Sequence, residues 1–379
     1  MSTISRDYRE ILPALRHRYD PASSAWARCQ QPHDVHLTVD ANLQLRVAGI
    51  VAAYAQKSAG KAAAVVLDPD SGELLASVSY PWPEAPASKA PVSEPLPLRR
   101  GEVAAVRSER ANDVFLDRAR YGLYPPGSTF KLVTASAALR QHVDPRTTFT
   151  CARLPDGRVG ARIQGWNRPV RDDVMDANPH GTIDVRGGFV HSCNAFFAQL
   201  AVKLGSRAML DTADRLGISL TPAADAAARV RRTLPQIGYG QGDIVVTPLR
   251  LARVAAAVAS NGVLRDARCE QDDEAGAAAS RFLNGDDARV LAGYMRDVVL
   301  SGTGRVLRNN PGRIAGKTGT AQLDGRPSHG WFVGFAPFGA AAKRIAFAVI
   351  VENAGYGGRS AAPAAGEIVD AASRAGLLK

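Results

Sequence analysis

The spacing of apolar residues predicts helices in the middle of this chain and strands towards both of its ends. From Ala41 to Ser58 apolar residues recur every three or four positions behind Asp40, a suitable N-cap, which predicts a helix. Two apolar runs on either side of the turn Asp70–Gly72 predict a β-hairpin. Further helices are predicted at 128–141, 183–204, 206–216, 247–260, 285–300 and 361–376, and strands at 313–322, 329–337 and 344–352. Neither pattern is present in three segments, which we expect to be irregular: 1–35, 81–98 and 144–180.

This order of elements indicates an α+β fold rather than a run of βαβ units. The hairpin near the N-terminus and the three strands near the C-terminus would complete one five-stranded sheet. Helices from both termini would cover one face of the sheet, and a helical subdomain from the middle of the chain would cover the other. We therefore expect a lead-in over 1–35 and one domain over 36–379, with a sheet lobe of 36–127 and 285–379 and a mostly helical lobe of 128–284.

Composition narrows the range of partners. The 379 residues are 46% apolar and 22% charged, which is ordinary for a soluble globular domain. The net charge of +11 suits an acidic partner such as nucleic acid, an anionic membrane face or an anionic cell wall. Arginines are scattered without interleaved aromatic residues, so we do not expect a nucleic-acid surface. Neither a signal-peptide pattern nor a run of 18 apolar residues occurs, so we expect a soluble protein or the soluble part of a longer, anchored chain.

The four cysteines do not predict a metal site. None of them forms a C-x-x-C pair, and no cysteine–histidine cluster has the spacing of a zinc site. His33 and His36 follow Cys29 closely, but no second pair of ligands accompanies them. Two disulfides are possible but not required by the spacing. The cysteines are Cys29, Cys151, Cys193 and Cys269.

Ser128 and Lys131 form the first candidate catalytic pair. Residues three apart on a helix share one face, so the Lys131 amine can approach the Ser128 hydroxyl. A serine becomes a nucleophile when an adjacent base takes its proton, and a lysine can be that base if burial or nearby charge lowers its pKa. At a predicted helix start after Gly127, the backbone N–H of Ser128 can stabilise an oxyanion. A second S-x-x-K, Ser58 to Lys61, crosses a predicted helix end and is interpreted as structural.

Ser192 and Asn194 form the second candidate pair, within a predicted helix. A hydroxyl and a carboxamide two residues apart can both line a cleft. The hydroxyl can relay a proton, and the amide can hold a peptide group by donating and accepting hydrogen bonds. The alternative is a pair of polar residues that cap or begin a helix. Cys193 between them is interpreted as a packing residue rather than a redox residue.

The third candidate motif is the run Lys317–Thr320 on a predicted strand. Glycine permits the close approach of a substrate backbone, while the lysine and the two threonine hydroxyls offer hydrogen bonds to a carboxylate. The alternative is a phosphate-binding loop ending in G-K-T. That loop requires a glycine where the chain has Pro311, and it precedes a helix that the pattern does not predict here.

In this order, the three motifs resemble the set found in β-lactamases and penicillin-binding proteins. Longer stretches extend the resemblance to the transpeptidase domain of the class B high-molecular-weight penicillin-binding proteins, over about residues 36–379. They are VVLDPDSGELLASVSYP, RARYGLYPPGSTFKLVTASAAL, GTIDVRGGFVHSCNAFFAQLA, IGYGQGDIVVTPLRLARVAAAVASNG and HGWFVGFAP. The resemblance implies a mainly antiparallel sheet and a D,D-transpeptidase that cross-links the stem peptides of peptidoglycan.

The resemblance also implies a role for each motif residue. Ser128 would be acylated by a stem peptide ending in D-Ala-D-Ala, or by a β-lactam that mimics it, with Lys131 as the general base. Ser192 would relay protons, and Asn194 would hold the acyl donor. The third motif would bind the substrate carboxylate and orient the site through Lys317, Thr318, Gly319 and Thr320. The oxyanion hole would consist of the backbone N–H groups of Ser128 and Thr320. No metal and no organic cofactor is implied.

Location and three alternative functions remain open at this point. The family normally has a membrane anchor and a non-catalytic pedestal, so we expect a longer chain whose catalytic domain lies at the periplasmic face of the inner membrane, in a cell-wall synthesis complex.

A D,D-carboxypeptidase is the first alternative function, and it would differ only in using water as the acceptor. A serine β-lactamase needs fast deacylation, and the absence of glutamate between Asn194 and Arg268 argues against the type that uses a glutamate for it. A non-catalytic β-lactam sensor or divisome scaffold is the third.

Overall fold

A five-stranded antiparallel sheet lies at the centre of the fold, which confirms the predicted α+β class. The structure is a computed structural model that describes residues 5–6, 36–83, 114–218, 226–271 and 278–379. Its strands are β1 (Ser5–Arg6), β2 (Ala62–Leu67), β3 (Leu74–Tyr80), β4 (Gly122–Leu123), β5 (Phe149–Arg153), β6 (Val159–Ala161), β7 (Val170–Arg171), β8 (Gly181–Ile183), β9 (Val263–Arg265), β10 (Ala279–Arg281), β11 (Ala315–Leu323), β12 (Arg326–Ala336) and β13 (Ile345–Val351). The order β11-β12-β13-β2-β3 pairs the N-terminal hairpin with the C-terminal strands.

Helices cover both faces of the central sheet. They are α1 (Ala41–Gln56), α2 (Lys131–Arg140), α3 (Val185–Val190), α4 (Asn194–Arg215), α5 (Ala226–Arg232), α6 (Leu234–Gly238), α7 (Pro248–Ala259), α8 (Gly285–Leu300) and α9 (Ala361–Arg374). The terminal helices α1 and α9 pack together on one face, and α7 crosses the other. As predicted, Asp40 caps α1, where its side chain accepts a 2.8 Å hydrogen bond from the N–H of Leu43. Among the described helices, none combines the length and the apolarity needed to cross a membrane.

Strands β2 and β13 are apolar throughout because both of their faces are covered. Successive side chains of a strand point to opposite faces. Along β13, Ala348 and Ile350 join the core beneath α7, while Phe347 and Val349 join the core beneath α1 and α9. All seven residues of this strand are buried. A sheet packed between two layers needs such continuous apolar runs.

The segment 144–180, predicted to be irregular, contains strands, so that prediction was wrong. Strands β5, β6 and β7 join β8 in a four-stranded sheet with the order β7-β6-β5-β8. These strands are only two to five residues long, and β5 is largely exposed. Short strands without a regular apolar alternation leave no clear pattern in the sequence. The predicted helical lobe therefore contains a small sheet beside the second motif.

The predicted helix over 183–204 is also wrong in one important respect. It is two helices, α3 and α4, separated by a break at Ser192, whose φ is 59°. The predicted boundary between the helices 183–204 and 206–216 is confirmed, because α4 has a kink with non-helical backbone at Gly205 and then continues to Arg215. The short helices α5 and α6 were not predicted. Residues 84–98 of the predicted irregular segment, most of the lead-in and Cys29 lie outside the described residues.

Candidate active site

Ser128 lies in a turn of 3₁₀ helix, Gly127–Phe130, that leads directly into α2. The sequence predicted an α-helix start here, but residues three apart also align in a 3₁₀ turn, so the pair with Lys131 is preserved. The Lys131 Nζ lies 3.0 Å from the Ser128 Oγ. Gly127 has a φ of 52°, and a side chain at this position would meet the backbone of Thr320. Glycine therefore lets this turn, Gly127–Phe130, lie directly against the third motif; we call it the nucleophile turn.

The amine of Lys131 is fully buried and faces hydrogen-bond acceptors. It donates to the Asn194 Oδ1 at 2.7 Å, to the Ser192 Oγ at 3.1 Å and to the Ser192 backbone carbonyl. Burial lowers the pKa of Lys131 to about 8, although the negative charge of Asp172 opposes the shift. When the amine is neutral, the Ser128 hydroxyl can donate to it across the same 3.0 Å. This geometry fits a general base that takes the serine proton.

Ser192 lies in the break between α3 and α4 rather than inside a helix. Its left-handed backbone conformation, with a φ of 59°, is uncommon for a residue other than glycine. The Ser192 Oγ lies between two amines, 3.1 Å from the Lys131 Nζ and 2.8 Å from the Lys317 Nζ. One hydroxyl thus connects the first motif to the third and can pass a proton between them.

Asn194 is the first residue of α4, and Asp172 holds it there. The Asp172 Oδ1 accepts hydrogen bonds from the backbone N–H groups of Asn194 and of Ala195, the latter at 3.0 Å. The Asn194 side chain donates to the Arg171 carbonyl at 3.2 Å and accepts from Lys131. Its predicted contact with the acyl donor stays a prediction. Asp172 itself was missed, because it lies in a segment without a recognisable pattern.

The third motif lies on β11, an edge strand of the central sheet. Among the described residues, β11 pairs with β12 and with no strand on its other side. Lys317 is fully buried, and its amine also donates to the Thr318 carbonyl at 3.2 Å. Burial, together with the charge of Lys131, lowers the pKa of Lys317 well below its usual value. The structure therefore places Lys317 beside Ser192. Its predicted contact with a substrate carboxylate stays a prediction.

The remaining residues of the third motif lie against the nucleophile turn. At Gly319, a side chain would come within 2.7 Å of Thr129 and 2.9 Å of Trp331, so only glycine allows this close packing. Thr318 is buried and its hydroxyl shares a hydrogen bond with the Thr303 hydroxyl. Thr320 is half-buried beside Gly127. The oxyanion hole expected from the N–H groups of Ser128 and Thr320 stays a prediction that this packing supports.

A buried ion pair, not predicted from the sequence, supports the nucleophile turn. The Arg118 Nε lies 3.0 Å from the Glu352 Oε1, and the two side chains are 0% and 3% exposed. The Tyr124 hydroxyl donates to the same carboxylate oxygen at 2.9 Å. The Trp331 indole N–H donates to the Pro125 carbonyl at 3.1 Å. Together these bonds fix the segment that precedes Ser128 against β12 and the end of β13.

Beside Asn194, four side chains with metal-ligating atoms lie within 4.8 Å of one another: Cys151, Asp172, His180 and Cys193. The hydrogen bond to Asp172 raises the pKa of His180 to about 10. Burial would raise the pKa of Asp172, but bonds from His180 and both cysteines outweigh it and lower that pKa to about 2. The Cys193 Sγ also accepts a 3.3 Å hydrogen bond from the backbone N–H of Phe196. Cys193 is therefore the N-cap of α4 as well as a buried packing residue. Spacing along the chain gave no sign of this cluster.

Comparison with known proteins confirms the family inferred from the motifs. The chain matches the model of the penicillin binding protein transpeptidase domain over residues 62–370. The peptidoglycan D,D-transpeptidase PbpA of Mycolicibacterium smegmatis is 30% identical over an alignment of 353 positions, which covers 82% of this chain and 67% of that protein. The peptidoglycan D,D-transpeptidase MrdA of Acinetobacter baumannii is 28% identical over an alignment of 400 positions, which covers 92% of this chain and 54% of that protein.

A solved structure gives the same result. Penicillin-binding protein A of M. tuberculosis, in a ceftriaxone acyl-enzyme complex, superposes with a TM-score of 0.72 at 26% identity, over 96% of this chain and 87% of that one. The sequence match and the fold therefore agree, and the matched residues 62–370 include the turn, the break and the edge strand that carry the three motifs. The chain belongs to the family of penicillin-binding protein transpeptidase domains.

Proposed function

We propose that this chain is a peptidoglycan D,D-transpeptidase that forms its acyl-enzyme on Ser128. The observation that carries the proposal is the pair of Ser128 and Lys131, whose Oγ and Nζ lie 3.0 Å apart with the amine fully buried. A buried lysine with a pKa of about 8 is neutral in a useful fraction of molecules near neutral pH. The names of the relatives support the same reaction class.

The first half-reaction transfers an acyl group to the enzyme. The Ser128 Oγ attacks the carbonyl carbon of the penultimate D-Ala in a stem peptide that ends in D-Ala-D-Ala, while Lys131 takes the hydroxyl proton. The N–H groups of Ser128 and Thr320 stabilise the oxyanion. Ser192, which lies between the amines of Lys131 and Lys317, passes a proton to the nitrogen of the departing D-Ala.

The second half-reaction releases the acyl group to an acceptor. An amine of a neighbouring stem peptide attacks the ester carbonyl, and its proton returns through the same route to the Ser128 oxygen. Asn194 holds the donor peptide, and the hydroxyls of Thr318 and Thr320 bind the terminal carboxylate before it leaves. A β-lactam reacts as a substitute for the donor, and because its leaving group stays attached, the acyl-enzyme persists.

The substrate also sets the location that we propose. Stem peptides of assembled peptidoglycan lie outside the cytoplasm, so the domain would act at the extracytoplasmic face of the inner membrane, with a membrane anchor in a longer chain. The net charge of +11 favours contact with an anionic cell wall. Partner proteins of a cell-wall synthesis complex would bring glycan strands to the site.

Intact-protein mass spectrometry after brief incubation with a penicillin tests the nucleophile. We expect one adduct on the parent chain and on the matched control Ser58→Ala, which alters the other S-x-x-K, and no adduct on Ser128→Ala. A penicillin hydrolysed without a lasting adduct would instead indicate a β-lactamase. An intact drug with no adduct would indicate a non-catalytic scaffold, whereas a β-lactam sensor would form the adduct but transfer no acyl group to an amine acceptor.

A second measurement separates the transpeptidase from a carboxypeptidase. The parent chain is given a donor ending in D-Ala-D-Ala together with an amine acceptor, and the products are resolved by mass. A transpeptidase forms the amide product in proportion to the acceptor concentration. Release of the hydrolysed donor alone, at every acceptor concentration, would contradict the proposal.

A further inference from the structure

We propose that a pocket beside the third motif binds the carboxylates of a peptidoglycan stem peptide, and that the bound peptide holds the third motif in its reactive position. The pocket, of about 510 Å³, lies between the end of α1, the start of α9 and the loop 352–360, which joins β13 to α9. Pockets that hold small ligands usually measure about 300–1,000 Å³. The identity of the ligand rests on the proposed function, whereas its negative charge is inferred from the pocket alone. The walls include Tyr54, Lys57, Pro327, Arg359 and Pro363.

Two cations of this pocket are not paired with a carboxylate. Lys57 and Arg359 are both exposed, and in the part of the chain that the structure describes neither lies within 4.0 Å of an Asp or Glu oxygen. The Lys57 Nζ lies 4.7 Å from the centroid of the Tyr54 ring, and the Arg359 Cζ lies 5.9 Å from that of the Tyr356 ring. An aromatic ring attracts a cation through its face, and the N–H donors of both side chains stay available to an anion.

Two tyrosines bind the carboxylates of the same region. The Tyr54 hydroxyl donates to the Glu367 Oε1 and the Tyr356 hydroxyl donates to the Asp173 Oδ1, each at 2.8 Å. Burial, together with the bonded carboxylate, raises the pKa of each tyrosine to about 12, so both hydroxyls stay protonated. These carboxylates are therefore bound by hydroxyls rather than by the two cations. The second bond also joins the loop 352–360 to the segment that begins at Asp172, beside the second motif.

A stem peptide has the groups that this pocket would recognise. Its glutamate and its terminal residue carry carboxylates, which accept two hydrogen bonds from the fork of an arginine and pair with a lysine as a point charge. Its alanine methyl groups match the apolar surfaces of Pro327, Pro363 and the Tyr54 ring. Inorganic phosphate would bind the cations but gain nothing from the apolar surfaces, so it serves as the test of selectivity.

The loop that forms one wall of the pocket also contacts the third motif. At Gly357, a side chain would overlap the carbonyl oxygens of Gly319 and Trp331, so this glycine lies directly on β11 and β12. At Gly358, a side chain would come within 3.9 Å of the Thr318 methyl group. A ligand held in the pocket would restrain this loop and would therefore hold β11 in position for acylation.

Isothermal titration calorimetry tests the binding site. The probe is N-acetyl-L-Ala-D-Glu, a stem-peptide fragment with two carboxylates and no D-Ala-D-Ala end, and its uncharged diamide is the matched ligand control. We expect Lys57→Met and Arg359→Met each to weaken binding at least about 10-fold, because each removes charge-assisted hydrogen bonds. Lys343→Met, at an exposed lysine outside the pocket, should bind like the parent. The penicillin-acylated parent should also bind, since its active site is already occupied.

The rate of penicillin acylation is the second readout. Saturating probe should raise this rate at least about 5-fold in the parent, which is the usual scale of coupling between two sites, and the same probe concentration should have no effect on either pocket variant. The proposal is overturned if the parent does not bind the probe at millimolar concentrations, or if the diamide or inorganic phosphate binds as tightly. It is also overturned if both variants keep parent affinity, if the acylated parent does not bind, or if the acylation rate does not respond.

Failure of this proposal can be told apart from failure of the proposed function. Ser128→Ala should bind the probe with parent affinity, since the nucleophile is not part of the pocket. Acylation of Ser128 without any binding of the probe would overturn the pocket alone. Binding of the probe by a chain that penicillin never acylates would contradict the proposed function alone.

Discussion

The amine of Lys317 donates a 2.8 Å hydrogen bond to the hydroxyl of Ser192, 125 residues earlier in the chain. The same hydroxyl lies 3.1 Å from the amine of Lys131. Two buried cations cannot both be charged at low cost when they share one small acceptor. The pair of lysines therefore favours a state in which at least one amine is neutral, and that is the state a general base requires.

Removing either partner of the bond between Lys317 and Ser192 should slow acylation by a similar amount. We expect Ser192→Ala and Lys317→Met each to lower the rate of penicillin acylation about 10²–10³-fold, because both interrupt one proton route. The double variant should be little slower than the slower single one, since residues that act as a unit are not additive. Stopped-flow acylation kinetics measure all three, with Lys343→Met on the surface as the control. Independent, multiplicative losses would show that the two residues act separately.

The rate of acylation should rise with pH through about 8. Burial lowers the pKa of Lys131 to about 8, and only the neutral amine can take the Ser128 proton. At pH 7 about a tenth of the molecules would hold that form, and at pH 9 about nine tenths. Acylation rates measured over this range, with unfolding monitored in parallel, give the midpoint. A flat profile would exclude Lys131 as the titrating base, and Lys131→Arg should be inactive throughout because arginine stays charged.

Breaking the buried pair of Arg118 and Glu352 should destabilise the whole domain. Glu352→Gln keeps the shape of the side chain but leaves the Arg118 charge without its buried counter-charge, at a cost of about 3–5 kcal/mol. The matched control is Asp243→Asn, whose partner is Arg229 in a half-exposed pair, where we expect less than about 1 kcal/mol. Denaturant unfolding of both variants measures the difference. Equal losses of unfolding free energy in the two variants would show that burial does not increase the contribution of the pair of Arg118 and Glu352 to stability.

Gly240 and Gly242 offer a test of how tightly the nucleophile turn is packed. Both have left-handed φ values, 83° and 92°, so alanine is strained at either position. Only at Gly240 would a side chain overlap the carbonyl oxygen of Gly127, while at Gly242 the nearest atom would be 3.9 Å away. We expect Gly240→Ala to lose about 1–3 kcal/mol more stability than Gly242→Ala, and to acylate more slowly. Indistinguishable variants would show that the turn can move freely.

Much of the frame of this fold could be predicted from the sequence. Helix α8 agrees with its predicted bounds, and the three C-terminal strands and both terminal helices lie within a few residues of theirs, because long elements with one or two buried faces have a clear apolar period. The small sheet around β5 was missed for the opposite reason. Its strands are too short for a period to develop, and their ends are rich in glycine, proline and aspartate.

The motif residues could be identified from the sequence, but their environment could not. The three-residue spacing predicted that Lys131 lies beside Ser128. The break at Ser192 was not predicted, because the apolar pattern is continuous there and favours one helix. Asp172 and His180 have no sequence signal, since their roles depend on strands that the pattern did not show. Contacts between distant segments depend on tertiary packing, and the local spacing of apolar residues does not predict them.

The order of the central sheet has a consequence for how the enzyme is made. Strands β2 and β13 are hydrogen-bonded neighbours, with Val65 opposite Ala348, although they come from opposite ends of the chain. Pairings of such long range form late and slowly. A growing chain carries Ser128 and Lys131 long before it has the strands that bury the lysine and support the turn. We therefore expect the Ser128 hydroxyl to remain unreactive until synthesis of the domain is almost complete.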